Sequence, residues 1–217
     1  MKTDKKIYEQ LGEGKSFLLT DYKNDYKSYV DIQKYWNEKK FGSGCNDDAS
    51  IFTKISNEVL SRNPNPTFGL CHGVRSGLEN KTLGKLLGCK VLGTEIGDNF
   101  GHPEITIQWD MHDVKDEWIG ACDVIYSNSF DHSYDPIYCL NQWAKTLKPT
   151  GIIVLQYGIG GHYIQNLIEQ KKYSPGDPFN ASLEIYKHMC EYTPLTISKV
   201  NQWDNRSKVY HLMLELK

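Results

Sequence analysis

The sequence lacks several features that mark large classes of protein. No apolar run approaches the roughly 18–20 residues that a membrane-spanning helix needs, and the opening segment Met1–Lys6 leads into no apolar stretch. We therefore expect no membrane span, no secretory leader and a cytoplasmic location. An excess of one charge is missing too, because 25 basic and 27 acidic side chains leave a formal net charge of −2. That balance disfavours nucleic acid as a partner.

Closely spaced cysteine pairs are also missing. The six cysteines include no Cys-x-x-Cys pair, which argues against a zinc ribbon or a thioredoxin-type redox site. Without a secretory leader we expect these thiols to be reduced. No internal repeat or low-complexity tract is present, and 39% hydrophobic with 24% charged residues is typical of a globular chain. The one compositional excess is an aromatic content of 12%.

The chain divides into a polar beginning and a patterned remainder. We predict a helical arm or lid over residues 1–45 and a single compact domain over 46–217. Within the arm, helical spacing of apolar residues predicts an amphipathic helix over 27–39. Its apolar positions are Tyr29, Ile32 and Trp36. We expect the side chains of Asn46, Asp47 and Asp48 to cap a second helix, with Phe52, Ile55 and Val59 on one face.

Apolar strand patterns and helix patterns alternate through the rest of the chain. Strands are predicted at 68–71, 90–95, 105–109, 123–126, 152–156, 195–203 and 207–216, and helices at 76–87, 136–147, 161–172 and 181–192. Residues 148–151 are predicted as a turn. The alternation predicts an α/β fold with a seven-stranded, mostly parallel sheet and helices on both faces. The last two strands are separated by a short turn only, so they form an antiparallel C-terminal hairpin.

Ligands of open parallel sheets bind at the carboxyl ends of the strands, and these ends carry polar residues here. Gly73 and Gly77 follow the first strand, where they serve either a bound ligand or ordinary turn geometry. Glu95 ends the second strand and could accept the hydroxyls of a ribose or remain a solvated carboxylate. After the third strand, Asp110 could accept an amine and Met111 could pack on a flat ring, while a helix cap is the alternative for this segment.

The segment 127–136 follows the fourth strand and is unusually polar. Eight of its ten side chains can form hydrogen bonds, which packing alone does not explain. His132 lies beside Asp131 at the carboxyl end of a strand, a position suited to acid–base chemistry or substrate binding.

Together these residues resemble the class I S-adenosylmethionine-dependent methyltransferases, which are Rossmann-like. Residues 71–77 resemble the first motif of that family, with Gly73 and Gly77 kept, Cys71 in place of the acid and Arg75 in place of the middle glycine. Residues 123–132 resemble the fourth-strand motif, and 147–154 the Leu-Lys-Pro-Gly-Gly turn with its following strand. The resemblance covers roughly 46–217 and implies S-adenosylmethionine as cofactor and S-adenosylhomocysteine as product. The implied cofactor-binding residues are Cys71, His72, Gly73, Arg75, Gly77, Glu95, Ile96, Asp110, Met111, His112, Ser127 and Asn128.

Methyl transfer to an alcohol needs a base, and we expect His132, oriented by Asp131, to supply it. His72 and His162 are reserves. The expected substrate-binding residues are Tyr134, Tyr157, His162 and Tyr26, and the arm adds Tyr8, Tyr22 and Tyr29 as further substrate contacts. No metal is expected, although Asp131 and Asp135 could hold Mg²⁺ with help from a substrate.

The sequence leaves several classes of methyl acceptor open. Residues 127–136 resemble small methyltransferases of surface-polysaccharide synthesis, so a hydroxyl of a sugar or glycan precursor is expected. A methyltransferase acting on nucleic acid or protein stays open, and so does a binding module that lost the cofactor, given Cys71 and Arg75. An NAD-type oxidoreductase is disfavoured, because residues 69–77 lack Gly-x-Gly-x-x-Gly. Monomer and homodimer are both open.

Overall fold

The computed structural model describes residues 2–12, 17–22, 25–43, 48–158, 176–203 and 209–217. The helices are α1 (Lys5–Gly12), α2 (Tyr26–Lys40), α3 (Ala49–Arg62), α4 (Leu78–Leu87), α5 (Pro136–Thr146) and α6 (Leu183–Glu191). The strands are β1 (Phe17–Leu19), β2 (Phe68–His72), β3 (Lys90–Glu95), β4 (Thr106–Gln108), β5 (Cys122–Ser127), β6 (Leu147–Gly158), β7 (Phe179–Ala181), β8 (Leu195–Asn201) and β9 (Val209–Leu216).

A seven-stranded sheet organises the fold, in the order β4-β3-β2-β5-β6-β9-β8. The five strands from β4 to β6 are parallel, and β9 lies antiparallel to both β6 and β8. This confirms the predicted α/β class, the seven strands and the antiparallel C-terminal pair. Because five parallel strands point the same way, their carboxyl ends form one edge, and the strand order reverses between β2 and β5 at that edge.

Helices cover both faces of the sheet. On one face, α3 and α4 bury Phe52, Ile55 and Leu83 against residues of the central strands. On the other, α5 and α6 pack with α1 in a larger apolar cluster that includes Leu140 and Met189. The sequence signals for these helices are local: Asp48 caps α3 by accepting from the backbone N–H groups of the first turn.

The prediction that residues 148–151 form a turn between α5 and the next strand is wrong. Those residues belong to β6, which runs from Leu147 without a break. Between the pairs Cys122–Leu147 and Val124–Ile152, however, β6 advances five residues while β5 advances two. The turn-forming residues therefore make an irregularity inside a strand, which the sequence pattern does not distinguish from a turn between elements. The predicted helix over 161–172, with His162, lies outside the described residues.

The N-terminal residues pack into the larger core cluster. Tyr8 and Leu11 of α1 are buried there, and β1 pairs antiparallel with β7 in a small second sheet that the sequence did not predict. The Tyr8 hydroxyl donates to Asp135 Oδ1 at 2.6 Å and accepts from the backbone N–H of Ile137 at 2.9 Å. Asp135 also caps α5 and accepts from the backbone N–H of Thr3. One buried carboxylate thus joins the N-terminus to the start of α5.

The sequence predicts two absences, that of a membrane-spanning helix and that of disulfide bonds. Among the helices in the described ranges, none is both long and apolar enough to cross a membrane. The five cysteines that the structure describes carry free thiols, whereas Cys45 lies outside the described residues.

We expect Tyr8→Phe to lower the free energy of unfolding by about 1–3 kcal/mol, because it leaves a buried carboxylate and a backbone N–H each short of a partner. Urea denaturation measures the change. Tyr35→Phe is a matched control, since Tyr35 is 50% exposed, and it should cost less than about 0.5 kcal/mol. A loss in Tyr8→Phe no larger than that of the control would show that this hydroxyl does not fix the N-terminus.

Candidate active site

A cavity of about 490 Å³ lies at the carboxyl ends of β2, β3, β4 and β5, with α2 against it. This is the edge where ligands of open parallel sheets bind. The lining residues from the strand ends and following loops are Gly73, Arg75, Thr94, Glu95, Ile96, Trp109, Asp110, Met111, Asn128, Ser129, Asp131 and His132. The remaining lining residues are Tyr29, Gln33, Trp36, Asn37, Lys40, Glu79 and Asp177.

The turn after β2 and the end of β3 are held together by Glu95. Its buried carboxylate accepts from the backbone N–H of Arg75 at 2.9 Å and from that of Gly97 at 3.1 Å. Gly73 has a φ of +74°, and a Cβ atom there would lie 2.6 Å from the Cβ of Ser129. Only glycine therefore fits between the turn after β2 and the loop after β5. The result is a narrow backbone cradle beside a carboxylate.

Asp110 links α2 to the loops after β4 and β5. Its carboxylate accepts from the Tyr26 hydroxyl at 2.7 Å, and its Oδ1 lies 2.6 Å from Nδ1 of His112. The other ring nitrogen of His112 lies 2.8 Å from the hydroxyl of Ser133. Burial acts to raise the pKa of Asp110, but the hydrogen bonds and charge of His112 outweigh it and bring that pKa below its usual value. Asp110 is thus an ionised junction between three segments.

This chain of acid, imidazole and hydroxyl is a packed network. His112 and Ser133 are both buried, and the ring of His112 lies against the rings of Tyr134 and Tyr29. The network fixes the wall of the cavity rather than presenting a hydroxyl to it.

The buried face of α2 carries two amides beside Tyr29, which corrects the predicted apolar face in part: Tyr29 is buried as predicted, but Ile32 and Trp36 are not. Tyr29, Gln33 and Asn37 are buried, one helical turn apart, whereas Ile32 and Trp36 are half-buried. Gln33 donates to the carbonyl oxygen of Gly176 at 2.7 Å. The side-chain amide of Asn37 is buried and finds no hydrogen-bond partner among the described residues. A buried amide in this state is costly unless a ligand completes it.

Asp131, His132 and Asp177 cluster at one side of the cavity. Nε2 of His132 lies 3.3 Å from Oδ1 of Asp177 and 3.9 Å from Oδ1 of Asp131. Desolvation raises the pKa of Asp131 to about 6, with the charge of His132 opposing and that of Asp177 adding to the rise. Desolvation lowers the pKa of His132, but the hydrogen bond to Asp177 and both carboxylate charges raise it overall. The nearer partner of His132 is therefore Asp177, not the predicted Asp131.

Many of the predicted site residues meet at this cavity. From the cofactor set these are Gly73, Arg75, Glu95, Ile96, Asp110, Met111 and Asn128, and from the catalytic pair both Asp131 and His132. They come from four separate strand ends, and the parallel order of the strands brings them together.

Other predicted site residues lie behind the lining. His72 is buried, stacks on Trp143 with ring centroids 4.5 Å apart and places Nδ1 2.8 Å from the Thr94 hydroxyl. Burial lowers its pKa to about 3, so this ring stays neutral and is a packed residue, not a reserve base. Cys71 belongs to the apolar core. Gly77 packs against the loop at Gly101, where a Cβ atom would meet a carbonyl oxygen at 2.8 Å.

The remaining predicted residues support the cavity from outside. Ser127 donates to the carbonyl of His72 and so joins the ends of β2 and β5. Tyr157 packs on Tyr186 within the core and does not line the cavity, so its position does not fit the predicted substrate contact. Tyr134 is buried under Tyr29, and Tyr26, 42% exposed, bonds Asp110 at the outer rim. His112 acts in the network already described.

The sequence indicated Tyr29 as a substrate contact, but it did not indicate the other lining residues of α2 or the distant Asp177. Gln33 and Asn37 share the i, i+4 spacing with Tyr29, and that spacing was the available signal. Asp177 carried no local signal, since it is 45 positions from His132.

No protein-family model matches the chain, and no curated protein is significantly similar to it in sequence. Solved structures do match. The 1,6-didemethyltoxoflavin-N1-methyltransferase of Burkholderia thailandensis, solved with 1,6-didemethyltoxoflavin and S-adenosylhomocysteine bound, superposes with a TM-score of 0.63 at 10% identity, over 88% of this chain and 89% of that one.

Two further structures show the same arrangement. A TehB-like S-adenosylmethionine-dependent methyltransferase from Corynebacterium glutamicum matches with a TM-score of 0.54 at 14% identity, over 89% of this chain and all of the other (100%). The mitomycin 7-O-methyltransferase MmcR matches with a TM-score of 0.53 at 11% identity. The match covers 77% of this chain but only 55% of the MmcR chain. The chain thus has the fold of class I methyltransferases, whose members here include enzymes named for transfer to nitrogen and to oxygen.

The packing of the turn after β2 is tested by Gly73→Ala against Gly88→Ala. Both glycines have left-handed φ values, +74° and +65°, but a Cβ atom at Gly88 meets no described atom within 4 Å. The control should lose about 1–2 kcal/mol of unfolding free energy from backbone strain. Gly73→Ala should lose at least about 1 kcal/mol more, because its Cβ atom meets Ser129. Equal losses in thermal or urea denaturation would contradict the close approach of the two loops.

Proposed function

We propose that this chain is an S-adenosylmethionine-dependent methyltransferase whose cofactor lies in the cavity beside Glu95. The observation that carries the proposal is the pairing of the Gly73 turn with the Glu95 carboxylate at adjacent strand ends in one cavity. The sulfonium cofactor supplies an electrophilic methyl group when bound. The fold of the solved structures supports this choice, because one of them is S-adenosylmethionine-dependent by name and another holds S-adenosylhomocysteine.

The residues present fit this cofactor. Each carboxylate oxygen of Glu95 accepts one backbone N–H, so lone pairs remain for the hydroxyls of a ribose. The backbone at Gly73 has no side chain between it and a ligand, because a Cβ atom there would meet Ser129. Trp109, Met111 and Ile96 offer flat or apolar contacts of the kind that an adenine ring requires.

The charge of the lining favours a cationic cofactor and disfavours an anionic polymer as acceptor. Five carboxylates line the cavity, against the cations of Lys40 and Arg75. The carboxylates are those of Glu79, Glu95, Asp110, Asp131 and Asp177. A sulfonium ion suits such a surface, whereas the phosphates of a nucleic acid do not. This supports a small neutral acceptor over DNA or RNA.

We further propose that the acceptor is a hydroxyl of a sugar or glycan precursor. The buried face of α2 presents amides at Gln33 and Asn37 next to the rings of Tyr29 and Trp36. Amides and aromatic rings together match the alternating hydroxyls and C–H faces of a sugar. In a cavity of about 490 Å³, the reacting part of the acceptor is small.

In this proposal the residues of the cavity act mainly by positioning and by excluding water. Methyl transfer from a sulfonium removes a positive charge, so orientation and desolvation contribute more than new charge stabilisation. His132 is held by Asp177 and Asp131 at Nε2, so its other ring nitrogen, Nδ1, is the atom that would take the proton of the acceptor hydroxyl. Tyr29 and Trp36 of α2 cover the cavity while the methyl group moves.

Cofactor binding is tested by Glu95→Ala with isothermal titration of S-adenosylmethionine. We expect affinity to fall by about 1–3 kcal/mol, since two hydrogen bonds to a charged acceptor are lost. Glu104→Gln is the control, because Glu104 is exposed and should leave affinity unchanged. Absence of binding by the unaltered chain at millimolar cofactor would remove the enzyme proposal and leave a binding module that lost its cofactor. Unchanged affinity in Glu95→Ala would remove the ribose role alone.

The base is tested by His132→Ala in an assay of S-adenosylhomocysteine formation with a panel of monosaccharides and glycan fragments. Turnover should fall by about 10²–10⁴-fold while cofactor affinity stays within a factor of about two. His188→Asn, on the exposed face of α6, should keep full turnover. Turnover of His132→Ala at the rate of the unaltered chain would show that this imidazole does not take the proton.

A further inference from the structure

We propose that Asp131, His132 and Asp177 form a site for one first-row divalent cation at the side of the cavity. The three residues offer two carboxylate oxygens and one imidazole nitrogen, all within 4.8 Å of one another. Each of these side chains lines the cavity, so an ion held by them would face whatever occupies it.

The spacing of the donor atoms is close to that of a coordination sphere. Adjacent donors around a small divalent ion, each about 2.1 Å from it, lie about 3 Å apart. Nε2 of His132 is already 3.3 Å from Asp177 and 3.9 Å from Asp131. Since all three donor atoms lie within 4.8 Å of one another, small side-chain movements would bring them onto one ion.

The charges of the cluster also favour an ion. Asp131 and Asp177 place two carboxylates beside one imidazole, and Lys40 is the further cation acting on Asp131. A divalent ion between the carboxylates would replace their repulsion by attraction. Both acids come from loops, Asp131 from the short 3₁₀ turn Phe130–His132 and Asp177 from the segment before β7, so no helix or strand needs to move.

The donor set selects the class of metal. An imidazole beside two carboxylates suits Mn²⁺, Fe²⁺, Co²⁺ or Zn²⁺, whereas Mg²⁺ and Ca²⁺ prefer oxygen alone. The ion binds the neutral imidazole, so any proton on Nε2 of His132 leaves when the ion binds. Three protein ligands leave about three positions of an octahedron open.

The open positions give the ion a role that rests on the proposed function. Two neighbouring hydroxyls of a sugar could occupy two positions at once, and a hydroxyl bound to a divalent ion loses its proton more readily. With the ion present, Nε2 of His132 would be a metal ligand. The proton of the bound hydroxyl would then pass to solvent water, its oxygen would take the methyl group, and S-adenosylhomocysteine would leave. The substrate class that this site selects is a vicinal diol.

His188 provides a matched control for His132 in a test of the metal site. His188 also lies between two carboxylates, Glu184 and Glu191, but they contact opposite ring nitrogens at 3.8 and 3.0 Å. These two acids therefore do not converge on one ring nitrogen, as Asp131 and Asp177 do on Nε2 of His132. His188→Asn therefore removes an acid-flanked histidine without removing the convergent geometry.

The experiment is a titration of the full chain with Mn²⁺, without cofactor, followed by the electron paramagnetic resonance of the free ion. We expect one Mn²⁺ per chain, with affinity at least about ten-fold weaker in Asp177→Asn and in His132→Asn and unchanged in His188→Asn. Circular dichroism and binding of S-adenosylmethionine in the presence of a chelator show whether each variant is folded. These readouts also separate failure of the metal site from failure of the proposed function.

Three outcomes would overturn the site. One is no saturable Mn²⁺ binding up to millimolar concentration by the unaltered chain. Another is binding that Asp177→Asn and His132→Asn both retain. The third is binding that His188→Asn loses to the same extent as the two ligand variants.

Discussion

The buried carboxylate of Asp110 holds together the parts that enclose the cavity. It receives the Tyr26 hydroxyl from α2 and pairs with His112, which in turn contacts Ser133 after β5. Three segments that are distant in sequence are thereby fixed to one ionised group. A single carboxylate can do this because each of its oxygens accepts more than one hydrogen bond. The position of α2, and with it the chemistry of the cavity, follows from that junction.

Much of the fold was predictable because its signals are local. Apolar runs such as Ile152–Gln156 and caps such as Asp48 mark elements wherever they occur, and alternation of strands with helices determines a parallel sheet. Residues at strand ends, including Gly73 and Glu95, could then be placed at one edge, since parallel strands end together. The cradle of the proposed cofactor was thus foreseeable from the chain itself.

The parts that could not be predicted depend on contacts between distant residues. Asp177 reaches His132 only because the chain returns to the cavity before β7, and no sequence spacing encodes that return. The burial of Gln33 and Asn37 contradicts ordinary amphipathic patterning, which assigns polar side chains to the solvent. The irregularity after Leu147 has the residues of a turn but lies inside a strand. In each case the local sequence is compatible with more than one conformation or degree of burial, and tertiary contacts determine which one forms.

Gln33 and Asn37 form a polar stripe on α2. This stripe separates the chemistry of the cavity from the packing of the sheet. Gln33 and Asn37 contact the cavity from a helix that lies outside the seven-stranded sheet, so exchanging them alters neither strand pairing nor the apolar clusters. The sheet can remain constant while this one stripe diverges. Under the proposed function, a change of two or three codons in this stripe would therefore alter the acceptor preference without a compensating change in the scaffold.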